Sequence, residues 1–428
     1  MERYDSYRPS EIPCLLSVPS HWKPSKFKFH HFEEDDTVGE YSDEYPLLSL
    51  TKEGVVFRDV ESGKGKFPAS FENYKVVHPD RLIFCLFDID ETPRTIGLSN
   101  HFGMITGAYK LFRTTPDLNP KFSFYTFLVI DNVKGLKPYY TGLRKVVRPE
   151  TFKSLEFTLP PLHEQEQIVA YLDRKTTLID SLTEKTVRKI ELLKEKRTSL
   201  INEVVTKGLN PDVEMKESGV EWIGEIPSHW SLKRLSWVAS TGSGTTPKSS
   251  NDSYYSGGTI NWLITGDLND DVVLDTSKKI TPKALEECRL NTYPMGSIVV
   301  AMYGATIGKL CQLGVETTVN QACCVLSSFK GILPKQVFYR ILSSRDYLLF
   351  LGDGGGQPNI SQEDVRSLQI PTPPLLEQEQ IVEFLDEQTS IIDSTITTEE
   401  KRIELLKEYR QSLISEVVTG KVKVTRDE

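Results

Sequence analysis

Cysteine is sparse. The six residues Cys14, Cys85, Cys288, Cys311, Cys323 and Cys324 are scattered over 428 positions, with one adjacent pair and no Cys-x-x-Cys. That usage excludes a disulfide framework and a zinc cluster, and it predicts a reducing, cytoplasmic setting. Long apolar runs are missing too. No stretch approaches eighteen consecutive apolar residues, and the first twenty positions hold Glu2, Asp5 and Glu11 without an apolar core, so neither a membrane span nor an export signal is expected. The common catalytic signatures are also absent: no G-x-x-x-x-G-K-[ST], no Asn-Pro-Pro-aromatic methyltransferase motif, no H-E-x-x-H and no G-x-S-x-G. Ser62-Gly-Lys-Gly-Lys-Phe67 is only a basic turn. Gly354-Gly-Gly356 is too compact for a dinucleotide fingerprint and reads as a hinge or contact loop. Asp88-Ile-Asp90-Glu91 lacks the downstream Glu-x-Lys of a nuclease and reads as a solvated acidic turn, and the histidines show no ligand spacing.

Net positive charge is lacking as well, since the formal charge is −9. Its distribution matters more than its sum. Residues 21–150 carry 18 bases and 18 acids, and residues 231–371 carry 13 and 12, whereas residues 377–428 carry 13 acids against 7 bases. A polyanion would therefore meet two neutral bodies through local clusters, leaving the acidic C-terminal segment to protein or solvent.

What the chain does have is a duplication. Leu159-Pro-Pro-Leu-His-Glu-Gln-Glu-Gln-Ile-Val-Ala-Tyr-Leu-Asp173 recurs, 213 positions on, as Thr372-Pro-Pro-Leu-Leu-Glu-Gln-Glu-Gln-Ile-Val-Glu-Phe-Leu-Asp386. A second repeat, Val18-Pro-Ser-His-Trp22 and Ile226-Pro-Ser-His-Trp230, has an offset of 208, with Arg8 matching Lys216 ahead of it. His21 and His229 read as structural anchors where each body opens. Each long repeat predicts a helix: a Pro-Pro pair fixes the start, Glu164 and Glu166 suit the helix dipole, and apolar residues recur every seven. The stripe is Leu172, Ile179, polar Thr186, Leu193 and Leu200 in the first copy, and Leu385, Ile392, polar Glu399, Leu406 and Leu413 in the second. This suits a coiled-coil seam about 60 Å long at 1.5 Å per residue. A helix packed on its own domain is the plainer alternative. Antiparallel pairing of the two helices would give a pseudo-two-fold dumbbell.

The expected organisation is a first body over 1–158, a helical spacer over 159–209, a second body over 210–371 and a second helical region over 372–428. The expected class is α+β, with mainly antiparallel strands in bodies separated by two long antiparallel helices. Body 2 opens with a Gly/Ser/Thr loop, Thr241 to Trp262, in which hydroxyls, backbone N–H groups and Lys248 suit phosphate, while Tyr254, Tyr255 and Trp262 wedge or position the loop. Strand-like runs follow at 296–303, 305–312 and 317–327. Pro79-Asp-Arg-Leu-Ile-Phe84 of body 1 parallels Pro294-Met-Gly-Ser-Ile-Val299, yet body 1 lacks the Thr-Thr-Pro and Tyr-Tyr motifs. Near-identical helices imply one kind of partner met twice, and divergent bodies imply two different targets.

The paired Pro-Pro-Leu-x-Glu-Gln-Glu-Gln-Ile helices, the Pro-Ser-His-Trp segments and Thr246-Pro-Lys with Tyr254-Tyr255, Trp262 and Gly266-Asp-Leu268 give the chain its resemblance. Over essentially its whole length it resembles the DNA-specificity (S) subunit of type I restriction-modification systems. The resemblance implies a chain without catalysis or cofactor that reads a bipartite double-stranded DNA target through two target-recognition domains. It also implies two methyltransferase subunits docked on the helices and bringing S-adenosylmethionine for adenine modification, and restriction/translocase subunits bringing ATP and magnesium. No membrane partner is implied. The DNA-contacting candidates in body 2 are Thr245, Thr246, Lys248, Tyr254, Tyr255, Asn261, Trp262, Asp267, Tyr303, Asn320, Gln321, Gln357 and Asn359. In body 1 they are Lys52, Lys64, Lys66, Thr106, Tyr109 and Lys110. The partner-docking candidates are Pro160, Pro161, Glu164, Gln165, Pro373, Pro374, Glu377 and Gln378. Two other classes compete: a coiled-coil scaffold binding only proteins, and an enzyme with an unrecognised site. Salt-dependent, sequence-selective DNA binding separates the first from an S subunit, and catalysis by the isolated chain would support the second.

Overall fold

A computed structural model of the chain describes residues 2–10, 17–59, 70–352 and 359–424. The chain folds into two compact units: unit 1 is Met1–Val187 with Lys401–Glu428, and unit 2 is Arg188–Glu400. Each joins a mainly antiparallel sheet to helices, which is the expected α+β class. Two parallel pairs, Trp262 with Thr318 and Val272 with Gln312, are the exceptions in unit 2.

In unit 1, β1 (His31–Glu34), β2 (Arg81–Phe84), β3 (Ile96–Ser99) and β4 (Lys110–Thr114) form one sheet in the order β1-β4-β2-β3. Helix α1 (Pro120–Asn132) starts where Asn119 accepts from the Lys121 and Phe122 amides and proline occupies the first turn. Phe27, Phe84, Phe112, Phe127 and Phe152 meet with ring centroids 4.7 to 6.2 Å apart beneath the sheet. Each such buried ring contributes about 1.5–3 kcal/mol, so this cluster is a substantial part of the unit 1 core.

Unit 2 repeats the plan. Strands β5 (Ser240–Ser243), β6 (Val272–Val273), β7 (Ile298–Ala301), β8 (Leu310–Leu313) and β9 (Cys323–Ser327) run in the order β5-β9-β7-β8-β6. Apart from the added β6, the order matches unit 1. The turn before each central strand uses a left-handed residue, Asp80 (φ 60°) before β2 and Gly296 (φ 87°) before β7, as the Pro79/Pro294 parallel implies. All three expected strands are shorter than the sequence suggested, that over 296–303 being confined to Ile298–Ala301. Positive φ at Gly304 and Gly308 makes 304–306 a 3-10 turn, so the strand expected over 305–312 begins only at Leu310. The run 317–327 breaks at Asn320, whose side chain accepts from the Ala322 amide and closes a local turn.

Both long repeats are helices: α2 (Leu162–Lys207) of 46 residues and, after the short α3 (Pro334–Ser343), α4 (Leu375–Val418) of 44. Within each unit the two run antiparallel. In unit 1 Arg410 Nε donates to Asp180 Oδ1 at 2.8 Å, and in unit 2 Arg197 Nε lies 2.9 Å from Asp393 Oδ1, the same bridge displaced by 213 positions. Leu172, Ile179 and Leu413 are buried in unit 1, and Leu385 and Ile392 in unit 2. Leu193, Leu200 and Leu406 are only half-buried. The stripe also merges with the body cores, because Leu172 and Leu413 share one cluster with Trp22 and Phe122, and Leu385 shares one with Trp230 and Phe338. Coiled-coil seam and domain-packed helix are thus one surface. The polar gap lies inside it: Thr186 and Glu399 are buried, Thr186 donates to the Leu182 carbonyl at 2.7 Å, and Lys189 reaches Glu399 at 2.5 Å.

The ends of these helices close the units. In unit 1, Glu164 in the first turn of α2 takes His21 Nε2 at 2.9 Å and the Tyr4 hydroxyl, while Gly420 (φ 69°), just beyond α4, lies against Trp22. In unit 2, Glu377 takes His229 Nε2 and Trp230 Nε1, both at 2.7 Å, and Gly208 (φ 78°), after α2, lies under the Trp230 ring. Arg8 donates to the Trp22 carbonyl (3.0 Å) as Lys216 does to that of Trp230 (2.7 Å).

Candidate nucleic-acid interface

A chain of backbone contacts gathers residues from four distant segments of unit 2 along one edge. The Thr245 amide donates to the Val319 carbonyl at 3.2 Å, and Gly244 sits so close that a Cβ there would lie 1.6 Å from that oxygen. Only glycine permits this approach. The Met302 amide donates to Ala322 at 2.9 Å, the Ile360 amide donates to Met302 at 2.8 Å, and Tyr303 pairs with Asn359. Thr245, Gln321, Tyr303 and Asn359 are exposed along this row, and Asn320 is half-buried within it. Thr246 and Lys248 continue the loop outward and are exposed. Lys309, which sequence reasoning missed, is exposed on the turn after Tyr303. Lys248 and Lys309 have no ion-pair partner among the described residues. The glycines flanking that turn were the available signal. Exposed hydroxyls, amides and ammonium groups on an otherwise neutral body can contact phosphates and base edges.

The aromatic residues of the opening loop set its shape. Trp262 is 4% exposed and donates from Nε1 to the Thr245 carbonyl at 3.2 Å. Tyr255 donates to the Pro247 carbonyl at 2.6 Å and Tyr254 to Glu287 at 2.9 Å. Both phenols are pushed up, Tyr255 by burial and Tyr254 by its bond to Glu287. Of wedging and positioning, these side chains position. Asp267 braces a turn by accepting from the Ile264 and Ser277 amides, and Asn261 accepts from Thr276. Gln357 lies outside the described residues, as do Gly354 to Gly356.

In unit 1, Lys52 is exposed on the hairpin joining Leu48–Thr51 to Gly54–Phe57. Thr106 closes a turn by accepting the Tyr109 amide on its carbonyl. Tyr109 is half-buried against Phe87, and burial pushes its phenol up. Lys110 is engaged within the unit. It donates to Glu33 at 2.7 Å, where Lys153 also binds at 2.6 Å; burial works against the Glu33 carboxylate, but these two lysines hold it below its usual range. Lys64 and Lys66 lie outside the described residues.

The docking candidates fall into closed and open positions. Gln165 and Gln378 are fully buried. Gln165 accepts from the Asn119 amide (2.8 Å) and donates to the Asp117 and Pro160 carbonyls (2.9 Å each); Gln378 accepts from the Leu333 amide (2.8 Å) and donates to Gly331 and Pro373. Both N–H groups of each amide are spent on backbone carbonyls, and full burial keeps the remaining carbonyl lone pair from any partner. Glu164 and Glu377 are engaged by the histidine anchors, and Pro160 and Pro373 are buried, whereas Pro161 and Pro374 are exposed beside Leu162, Leu375 and Leu376.

Among the described residues, no group of three or more His, Cys, Asp or Glu is placed to hold a metal ion, and no helix is long and apolar enough to cross a membrane. Cys311 and Cys324 are free thiols in the unit 2 core, pushed up to about 12 by burial.

Two related bodies, each closed by the same helix clamp and diverging at their exposed edges, define a duplicated recognition protein. The chain belongs to the family of the type I restriction modification DNA specificity domain, whose model matches residues 102–192 and 227–408. The type I restriction enzyme MjaVIII specificity subunit of Methanocaldococcus jannaschii is 26% identical over 329 residues, covering 74% of this chain and 73% of that one. The EcoR124I/EcoR124II specificity subunit of Escherichia coli is 26% identical over 262 residues, 59% of each chain. The fold is similar to a chain solved for complex assembly and conformational transition of the type I R-M system (TM-score 0.73, 15% identity, covering 95% and 99%). It is also similar to the HsdS subunit from Thermoanaerobacter tengcongensis (TM-score 0.54, 16% identity, covering 95% and 98%). Specificity subunits select the DNA, and the enzymatic activities lie in partner subunits.

Proposed function

We propose that this chain directs a type I modification complex to a bipartite double-stranded DNA target, each unit reading one half. The observation carrying this reading is the unit 2 edge, where Thr245, Tyr303, Gln321 and Asn359 present polar side chains beside Lys248 and Lys309. In unit 1 the contacts fall around the Lys52 hairpin and the Thr106–Tyr109 turn. Two methyltransferase subunits dock on the long helices, one per copy of the repeat; the starts of α2 and α4, where Glu164 and Glu377 hold His21 and His229 in the same way, support two equivalent sites. S-adenosylmethionine belongs to those subunits, ATP and magnesium to a restriction subunit, and the assembly works in the cytoplasm.

The test is to map methylated adenines genome-wide in a host expressing this chain with its methyltransferase. The expected result is one split motif that disappears when this chain alone is deleted. Methylation that persists unchanged would overturn the assignment.

A further inference from the structure

Unit 1 carries a feature that the sequence reading did not single out. Thr141 and Val146 pair through both backbone bonds (2.9 and 3.0 Å), closing a hairpin whose tip is Gly142, Leu143, Arg144 and Lys145. Leu143 is 102% exposed, the most exposed large apolar residue described. The tip is held rigidly. The Val147 amide below it donates to the Leu86 carbonyl at 3.0 Å, the Asp88 amide donates to the Arg144 carbonyl at 2.8 Å, and Arg144 Nη2 bonds Asp88 Oδ2 at 2.6 Å. The Arg144 guanidinium lies 5.2 Å from the centre of the Phe87 ring, and Lys145 lies 3.2 Å from Asp90. Asp88 (φ 48°) and Lys145 (φ 46°) are both left-handed without being glycine, a strain that persists only where the surroundings enforce it.

A bare leucine on a stiff tip costs solubility and adds nothing to the core. Its surroundings name an occupant: residues 137–148 contain Lys137, Arg144, Lys145 and Arg148 and no acid. Apolar wedges flanked by bases enter DNA between base steps, the leucine replacing stacking and the cations meeting the adjoining phosphates. The acidic turn of Asp88, Asp90 and Glu91 pairs with Arg144, Lys145 and Lys137, which orients those three cations, and with Arg148 the local charge is a single net positive. We infer that Leu143 is a wedge with which unit 1 enters duplex DNA. This rests on the proposed function, and it adds a contact residue and a mode of contact.

The experiment uses the full chain assembled with its methyltransferase and a cognate duplex carrying 2-aminopurine at successive steps of each half-site. With the unchanged complex, fluorescence should rise at one step in the half-site read by unit 1. Leu143→Ala should abolish that rise and weaken binding about tenfold, the scale of one buried leucine. It should leave the salt dependence unchanged, because no phosphate-neutralising charge is lost. Failure of the unchanged complex to bind DNA would overturn the underlying function and this inference with it. Binding with no fluorescence change at any step, or an unaltered Leu143→Ala profile, would overturn the wedge alone. So would loss of the methyltransferase from Leu143→Ala on sizing, which would make Leu143 a protein contact.

Discussion

His31 lies stacked on Phe27 with ring centroids 3.7 Å apart, and both its nitrogens are engaged. Nδ1 faces the Phe27 carbonyl at 2.9 Å and must donate; Nε2, 2.8 Å from the Ser123 hydroxyl, must then accept if the ring is neutral. Burial drives the imidazole down to about 3, against the pull of the Phe27 carbonyl. The folded chain therefore binds fewer protons than the unfolded one below about pH 6.5, the free histidine value. Stability from this group is full above that pH and falls by about 1.4 kcal/mol for each unit below it, until the folded value is reached. Thermal unfolding of unit 1 should weaken between pH 6.5 and 5, and His31→Gln, though less stable at pH 8, should show a shallower decline. Parallel declines would mean the histidine is not held neutral. His31 was invisible in the sequence because nothing repeats it and burial is a tertiary property. His21 and His229 were legible as anchors because each precedes a tryptophan at a repeated position.

Element existence was legible wherever a period ran long enough. Helices α2 and α4 follow from the seven-residue stripe and the Pro-Pro starts, and the shared bridges Asp180–Arg410 and Arg197–Asp393 fit the expected antiparallel pairing. The first glutamine of each Glu-Gln-Glu-Gln, Gln165 and Gln378, was read as a docking residue because an amide's role depends on which loop folds over it, and neither Asn119 nor Leu333 is near in sequence. Gln378→Met keeps the volume and strands the Leu333 amide with the carbonyls of Gly331 and Pro373. Each buried group left unpaired costs about 1–3 kcal/mol, so chemical unfolding should show unit 2 clearly destabilised. Methyltransferase stoichiometry on sizing should hold at temperatures where the variant is folded. Loss of the partner from a folded variant would return Gln378 to the docking surface.

At the scale of the whole chain, the duplication was legible; Thr245, Tyr303, Gln321 and Asn359 were legible one by one as candidates, but not the single edge that gathers them. Thr245, Tyr303, Gln321 and Asn359 meet only through strand order and backbone bonds across more than a hundred residues, which no local pattern reveals. Because the units share a scaffold and differ at these edges, replacing residues 21–149 by the corresponding body of a relative should change one half of the methylated motif. Methylome mapping that found both halves altered would show that the units do not read independently. The closure of unit 1 has another consequence, in the order of synthesis. Its core includes Leu413, Ile414 and Val417, supplied at the far end of the chain. A ribosome adding about 5–20 residues per second would take roughly 10 to 45 seconds from Val187 to Leu413. Through that interval the nascent first unit carries an open apolar groove along Ile168, Leu172 and Ile179, while everything belonging to the second unit emerges and can fold. The unit begun first is thus completed last, and a chain truncated before Leu413 would leave that unit unfinished.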